Sequence, residues 1–347
     1  MTRTLQEVQA DRESEDAPAF VLKIAGILHM FSQGDKVVKL HFARPSVIES
    51  MLRVLPSVPQ EPLILLLKSI RNISMDSTTL DLLEAAGAIP ALIPFLDPMA
   101  ASENQHQVLL TMYYLCQIKG SRQEQAALSG IIPHLQRFIR EEHSLKQFAY
   151  PIIFLLAKTS WRTRQELKKY QGVQFYVDIL TSPDVYWRSA ALDCIATWMS
   201  ASVEDTARVS FLLNTASNIN KLLRVFRDTD DATQFDKMLP SFRKILATSI
   251  KVNQSLGRTP DFTREIRDRL CRHAASNNIR INLLKMVSLL FAAHPSPATL
   301  AAEADLTPVL HALLEDKSAV IVGSLTQKLL TQYLGDTKPA DADTPNA

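Results

Sequence analysis

The chain has 347 residues, 46% of them hydrophobic and 21% charged, with a formal net charge of +2. That balance suits a well-packed soluble protein and gives no global pull towards nucleic acid or an anionic membrane, so neither is expected as a partner. The first fifteen residues carry Arg3, Glu7, Asp11, Arg12, Glu13 and Glu15 without an apolar run, and the longest mostly apolar stretch, Phe148 to Ala157, is too short to cross a bilayer, so neither a secretory leader nor a membrane span is expected.

In chain order, residues 1–17 are polar and charged and are expected to form a disordered tail. From residue 18 to 334 almost everything reads as helix, with apolar residues at i, i+4, i+7 and i+8, as in Val108, Met112, Leu115 and Cys116. Seven short segments share one pattern: a small or turn-prone residue, an apolar residue, then a helix start. The turn-prone anchors are Ser46, Gly87, Gly130, Gly172, Asn218, Asp261 and Asp305, separated by 41 to 46 residues. Each unit reads as a first helix such as Gln105 to Ile118, a short second helix such as Arg122 to Leu128, and a third helix after the anchor. An anchor of this kind suits a sharp turn, often through positive φ. Three residues on, Pro90, Pro133 and Pro308 read as first helical positions, where proline loses no hydrogen bond.

Five residues after the anchors stand Met51, Leu92, Leu135, Val177, Leu223, Ile266 and Leu310; eight after stand Val54, Phe95, Phe138, Leu180, Phe226 and Leu313. These are the expected core of the third helices. The sixth unit departs, since Arg269 takes the second of these places with Leu270 beside it, and a change of curvature is expected there. The first unit, Phe20 to Leu55, and a last helix, Ser318 to Leu334, are expected to cap the ends. A disordered tail is expected over residues 335–347. A helical period of this length predicts an all-α, armadillo- or HEAT-like right-handed α-solenoid of about seven three-helix repeats.

No site of chemistry emerges. The nine glycines never lie closer than eight residues apart, so no phosphate-cradling loop can form. The eight histidines lack metal-ligand spacing, His134 and His311 included, and no Cys-x-x-Cys pair or Gly-x-Ser-x-Gly elbow occurs. No cofactor, metal or enzymatic activity is expected. Cys116 and Cys194 fall in apolar stripes and read as buried thiols of a reducing, intracellular compartment.

If the third helices bury the core positions, their other side carries Arg53, Gln136, Arg137, Arg140, Arg224 and Arg267, with Ile93 and Ile179 adding apolar surface. Two readings of that side stand. It is an ordinary solvated helix face, or it is a groove for an extended acidic or phosphorylated protein segment, since arginine pairs carboxylate and phosphate through two parallel bonds. Self-association is a further expectation, with Val320, Ile321 and Val322 of the last helix as its place.

The wording of the repeats is more specific than their period. Arg122-Gln-Glu-Gln-Ala-Ala-Leu-Ser-Gly-Ile-Ile-Pro-His-Leu135, Leu145-Lys-Gln-Phe-Ala-Tyr-Pro151, Ala191-Leu-Asp-Cys-Ile-Ala196, and Ile281-Asn-Leu-Leu-Lys285 with His294-Pro295 resemble the armadillo region of one kinase family. It comprises the fungal septation-initiation and mitotic-exit protein kinases and the plant epsilon-class mitogen-activated protein kinase kinase kinases. The likeness runs over roughly residues 60–315 and is strongest from about 104 to 200. It implies a non-catalytic scaffold, regulatory or targeting module that meets a small GTPase or a spindle-pole or septum scaffold, in the cytoplasm, at the spindle pole body or at the division site. The family's kinase domain precedes these repeats and has no counterpart in this sequence, so no catalytic residue carries over. A C-terminal piece of such a kinase and a stand-alone relative both fit. The alternative is a general armadillo adaptor in transport or cytoskeletal assembly.

Overall fold

The computed structural model describes residues 17–316 and 319–335. The two expected tails lie outside that range except at their inner ends, where Ala17 is already helical and Gly335 ends the last helix. Among the described residues there is no strand. The chain divides into two compact units, which meet in sequence at Gly172 and Val173.

The first unit holds α1 (Ala17–Ser32), α2 (Lys36–Phe42), α3 (Pro45–Val54), α4 (Gln60–Ser74), α5 (Leu80–Ala85), α6 (Ala88–Leu92), α7 (Ser102–Cys116), α8 (Gly120–Leu128), α9 (Ile131–Arg140), α10 (Lys146–Thr159) and α11 (Trp161–Lys169). The long helices α1, α4, α7 and α10 pack side by side in that order, and the shorter pairs between them close the other side. The second unit opens on α12 (Gly172–Ile179) and continues through α13 (Val185–Met199), α14 (Val203–Leu213), α15 (Ala216–Arg227), α16 (Ala232–Thr248), α17 (Ile250–Gly257), α18 (Pro260–Arg272), α19 (Asn277–Ala293), α20 (Pro297–Glu303), α21 (Leu306–Glu315) and α22 (Val320–Leu329), which widens into a π turn at Leu330–Leu334. There α13, α16, α19 and α22 form the same kind of ladder. A side chain on one long helix reaches its counterpart about one repeat away, so each repeat is buried by its neighbours, as expected of an armadillo-type array.

The predicted core positions are occupied as the period requires. Met51, Leu92, Leu135, Val177, Ile266 and Leu310 are fully buried, and Val54, Phe138, Leu180, Phe226 and Leu313 are buried as well. Two positions slip by one residue. Leu222 takes the buried place expected of Leu223, because α15 begins two residues before Asn218. Leu96 takes that of Phe95, because Ile93–Leu96 winds as a 3₁₀ turn, which has fewer residues per turn than an α-helix.

The turns are made in two ways. Gly87, Gly130 and Asp305 adopt left-handed backbone immediately before their helices, with φ of 75°, 92° and 49°. At the fourth anchor the positive φ belongs to Gln171 instead, and Gly172 is required for another reason: a Cβ there would lie 2.9 Å from the carbonyl oxygen of Leu167. Ser46, Asn218 and Asp261 sit inside the first turn of their helices. Their chains turn through the extended residues Arg44, Thr215 and Thr259, two of which are held extended by the following Pro45 and Pro260. Pro90, Pro133 and Pro308 stand third in their helices rather than first. They are tolerated there because the first four helical N–H groups have no acceptor within the helix.

Cys116 and Cys194 are buried and Cys271 is exposed. Burial pushes the Cys116 thiol up to about 12, so it stays protonated and unreactive at neutral pH.

One polar cluster ties α5 to α8. The buried Arg122 donates to Asp81 and, from Nε, to Glu84 Oε2 at 2.9 Å; Lys119 reaches both carboxylates at 3.0 and 2.9 Å. Hydrogen bonds from Lys119 and Arg122 hold Asp81 below the usual carboxylate range. For Glu84, burial pulls upward, but hydrogen bonds from Lys119, Ser121 and Arg122 outweigh it and the net shift is down. Depressed folded-state values mean that the cluster stabilises the fold above the unfolded carboxylate value near about 4, and that this stabilisation is lost as pH falls through the lower folded values. Arg122→Met is therefore expected to lower the thermal midpoint by several degrees at pH 7, with the deficit shrinking towards pH 3. A deficit that stays constant across that range in thermal melts would contradict the assignment.

Candidate functional site

The residues expected to line a groove fall in both units and in three kinds of place. Arg53 and Arg224 are exposed on α3 and α15. Gln136 and Ile179 are only 3% and 5% exposed, and Ile93 is likewise buried, so little of any of them is open to a ligand. The side of the third helix that the wheel leaves over is partly covered by the next repeat, which the sequence of one helix does not reveal.

The remaining candidates largely serve the repeat junctions. Gln136 Nε2 donates to the carbonyl of Tyr170 at 3.0 Å, and Arg137 Nη2 to that of Leu96 at 2.8 Å, its guanidinium also lying 4.6 Å from the Phe138 ring centre. Arg267 Nη1 donates to the carbonyl of Ala304 at 3.0 Å and pairs with Asp268 and Asp305. Each acceptor lies at the C-terminal end of a neighbouring helix, where the last carbonyls have no partner of their own and the helix dipole favours a cation.

Arg269 carries this arrangement into the core. It is 0% exposed and fills the apolar place that the repeat pattern assigned to that position. Its Nε donates to Glu265 Oε1 at 2.7 Å, its Nη1 to the carbonyl of Thr229 at 2.7 Å, and its Nη2 to the carbonyls of Phe226, at 3.3 Å, and Arg227. The guanidinium lies 4.5 Å from the ring centre of Phe235. The sixth repeat therefore keeps its core by embedding a charge that closes the end of α15.

Among the described residues, two recesses gather several cations. The first, of about 480 Å³, is walled by Gln136, Arg137, Arg140, Glu141, Lys169 and Gln171. Three of the expected residues, Gln136, Arg137 and Arg140, come together here. Its charges are largely engaged: Arg137 holds Leu96, Lys169 pairs with Glu166 at 2.7 Å, and Glu141 lies in the wall. His134, on the same helix, is held below its ordinary pKa by burial and by Arg137, so it stays neutral at pH 7.

The second recess, of about 640 Å³, was not anticipated and lies on the long helices of the second unit. Pro240, Arg243, Lys244 and Ala247 of α16, Leu284, Lys285, Ser288 and Leu289 of α19, and Leu325, Lys328 and Leu329 of α22 line it, with no carboxylate among them. On α16 these four residues follow i, i+3, i+4, i+7 spacing and so share one face. The opposite face is the core, with Phe235, Leu239, Phe242 and Leu246 buried. Lys244, Lys285 and Lys328 are exposed, and their separations of 41 and 43 residues repeat the period of the chain. That coincidence is the signal by which the sequence could have revealed them. Among the described residues no group of three His, Cys, Asp or Glu side chains is placed to hold a metal, and no helix is long and apolar enough to cross a membrane.

The helical ladder and its recesses define an all-α armadillo-type solenoid. Solved structures agree on that fold. A designed armadillo repeat protein aligns with a TM-score of 0.52 at 13% identity over 70% of this chain and 99% of its own. A chain from a study of the cadherin–β-catenin interaction aligns at 0.65 and 16% identity, over 95% of this chain and 64% of its own. No protein-family model matches the sequence. Over about nine-tenths of its length, however, the chain is a relative of one segment of the septation and epsilon-class kinases. It is 33% identical to the cytokinesis protein sepH of Aspergillus terreus over 92% of the chain, 33% identical to MAP3K epsilon protein kinase 1 of Arabidopsis thaliana over 87%, and 26% identical to cell division control protein 7 of Schizosaccharomyces pombe over 90%. The chain spans only 24%, 22% and 29% of those relatives' lengths.

Proposed function

We propose that the chain is a non-catalytic protein-interaction module that regulates or targets a cell-division signalling kinase of the septation type. The observation that carries this reading is the match of nearly the whole chain to about a quarter of each such kinase. The character of the matched part supports it. Kinase chemistry needs a glycine-rich loop over the phosphates and a lysine on a strand. The described residues contain no strand, and the glycines are too widely spaced for the loop. A ladder of helices instead offers extended surface. On this reading the partners are proteins of the division machinery, at the division site or spindle pole.

Two measurements test it. The purified chain is expected to show neither binding of magnesium-ATP nor transfer of phosphate to a generic substrate; either activity would refute the non-catalytic assignment. Proximity labelling from the chain in dividing cells is expected to mark septum and spindle-pole components. A labelled set dominated by transport or general cytoskeletal proteins would favour an unrelated adaptor.

A further inference from the structure

Beyond the junctions, one surface has cations without internal employment. Among the described residues Lys244, Lys285 and Lys328 make no ion pair, whereas elsewhere in the second unit Lys221 pairs with Asp178 and Arg280 with Asp316. The three lysines stand one on each of three consecutive long helices, around a floor that includes the half-buried Leu289 and Leu325. Arg243 adds a fourth positive charge, with its Nη1 bonded to Asn282 at 3.0 Å. Four cations around an apolar floor with no carboxylate in the lining demand a ligand that is both acidic and partly apolar.

We infer that this recess binds an extended, carboxylate-rich segment of a partner protein, laid across α16, α19 and α22. The inference rests on the interaction-module reading above and names the chemistry of the partner. Packed helices stand about 8–10 Å apart, so three axes span about 20 Å, the reach of roughly six extended residues. In an extended strand alternate side chains point to opposite sides. Apolar residues then face Leu289 and Leu325 while glutamates or aspartates between them meet the lysine ammonium groups at the rim. Helical ligands fit less well, because their charge and apolar stripe recur along an axis rather than across successive helices. The lysine spacing matches the repeat itself, so the charges recur at each step of such a strand.

The test uses the whole purified chain and a fluorescein-labelled decapeptide in which glutamate alternates with leucine, read by fluorescence anisotropy. Saturable binding that weakens with added salt is expected, as is loss of at least about tenfold in affinity when Lys244, Lys285 and Lys328 are all replaced by glutamate. Because these lysines are exposed, the variant should melt as the parent does; if it does not, replacement of all three by methionine, which keeps the stems, is used instead and should also weaken binding. Reversal of Arg53 and Arg224, exposed cations outside the recess, should leave binding unchanged. The inference is overturned by absence of binding, by equal loss on reversing Arg53 and Arg224, by equal affinity for a lysine–leucine decapeptide, or by binding only of a phosphoserine peptide or of phosphatidylserine vesicles. Such a failure would leave the division-site labelling untouched, so the two readings fail separately.

Discussion

Arg269→Met is expected to destabilise the second unit by about 3–5 kcal/mol, measured as a shift in the midpoint of chemical unfolding followed by circular dichroism. Methionine fills most of the space of the arginine stem, so lost packing is the smaller part of the effect. The larger part is what remains behind. The buried carbonyls of Phe226 and Thr229 and the part-buried carbonyl of Arg227 lose their donor, and Glu265 loses its counter-charge. Removing one partner from a buried network costs far more than the network gains over an apolar core, because the surviving groups stay desolvated. Arg269→Lys should recover part of the loss, since an ammonium keeps the charge but cannot reach three carbonyls and a carboxylate with a planar fork. A methionine variant within about 1 kcal/mol of the parent would show that solvent or a shift of α15 satisfies those carbonyls.

Phe226→Ala is expected to cost a comparable amount, about 3–5 kcal/mol, through the cavity it opens. The Phe226 ring is fully buried and meets Phe235, Phe242 and Phe262 edge to face, with ring centres 5.0 to 5.2 Å apart. These rings come from α15, α16 and α18, so deleting the central one loosens three helices at once. Phe226→Leu, which keeps most of the volume, should lose less than about 2 kcal/mol. The two sites are coupled: Arg269 stacks over Phe235, and Phe235 touches Phe226. The double variant should therefore lose less than the sum of the single losses, and strict additivity in a double-mutant cycle would argue against a shared network.

Much of the architecture was legible because it depends on apolar periodicity. Met51, Leu135 and Ile266 are buried since a helix in an array has one side that only a neighbour can cover. The turns were less legible, because a chain can end one helix and begin another either through a left-handed residue, as at Gly130, or through an extended residue held by proline, as at Arg44 before Pro45. The two look unlike in sequence and serve the same end. The expected binding side was the least legible. Gln136, Arg137 and Arg267 recur because carbonyls at helix ends recur, and the period of a structural clamp is the same as the period of a ligand groove. Arg269 could not be read as buried from its type, since an arginine is buried only when acceptors from another element surround it. Conversely, Lys244, Lys285 and Lys328 lay in plain view at the repeat spacing, but on helices whose apolar stripes marked them as core.

The junction hydrogen bonds have a consequence for how such a chain changes over generations. Those formed by Gln136, Arg137, Arg267 and Arg269 join residues between 34 and 43 positions apart, never further. A duplication or deletion of one complete period brings the corresponding helix-end carbonyl of another repeat to the same offset, so each donor still meets an acceptor. Loss of half a period would strand both. Genes for molecules built this way can therefore grow or shrink in whole steps, and relatives of different lengths should differ by multiples of that step.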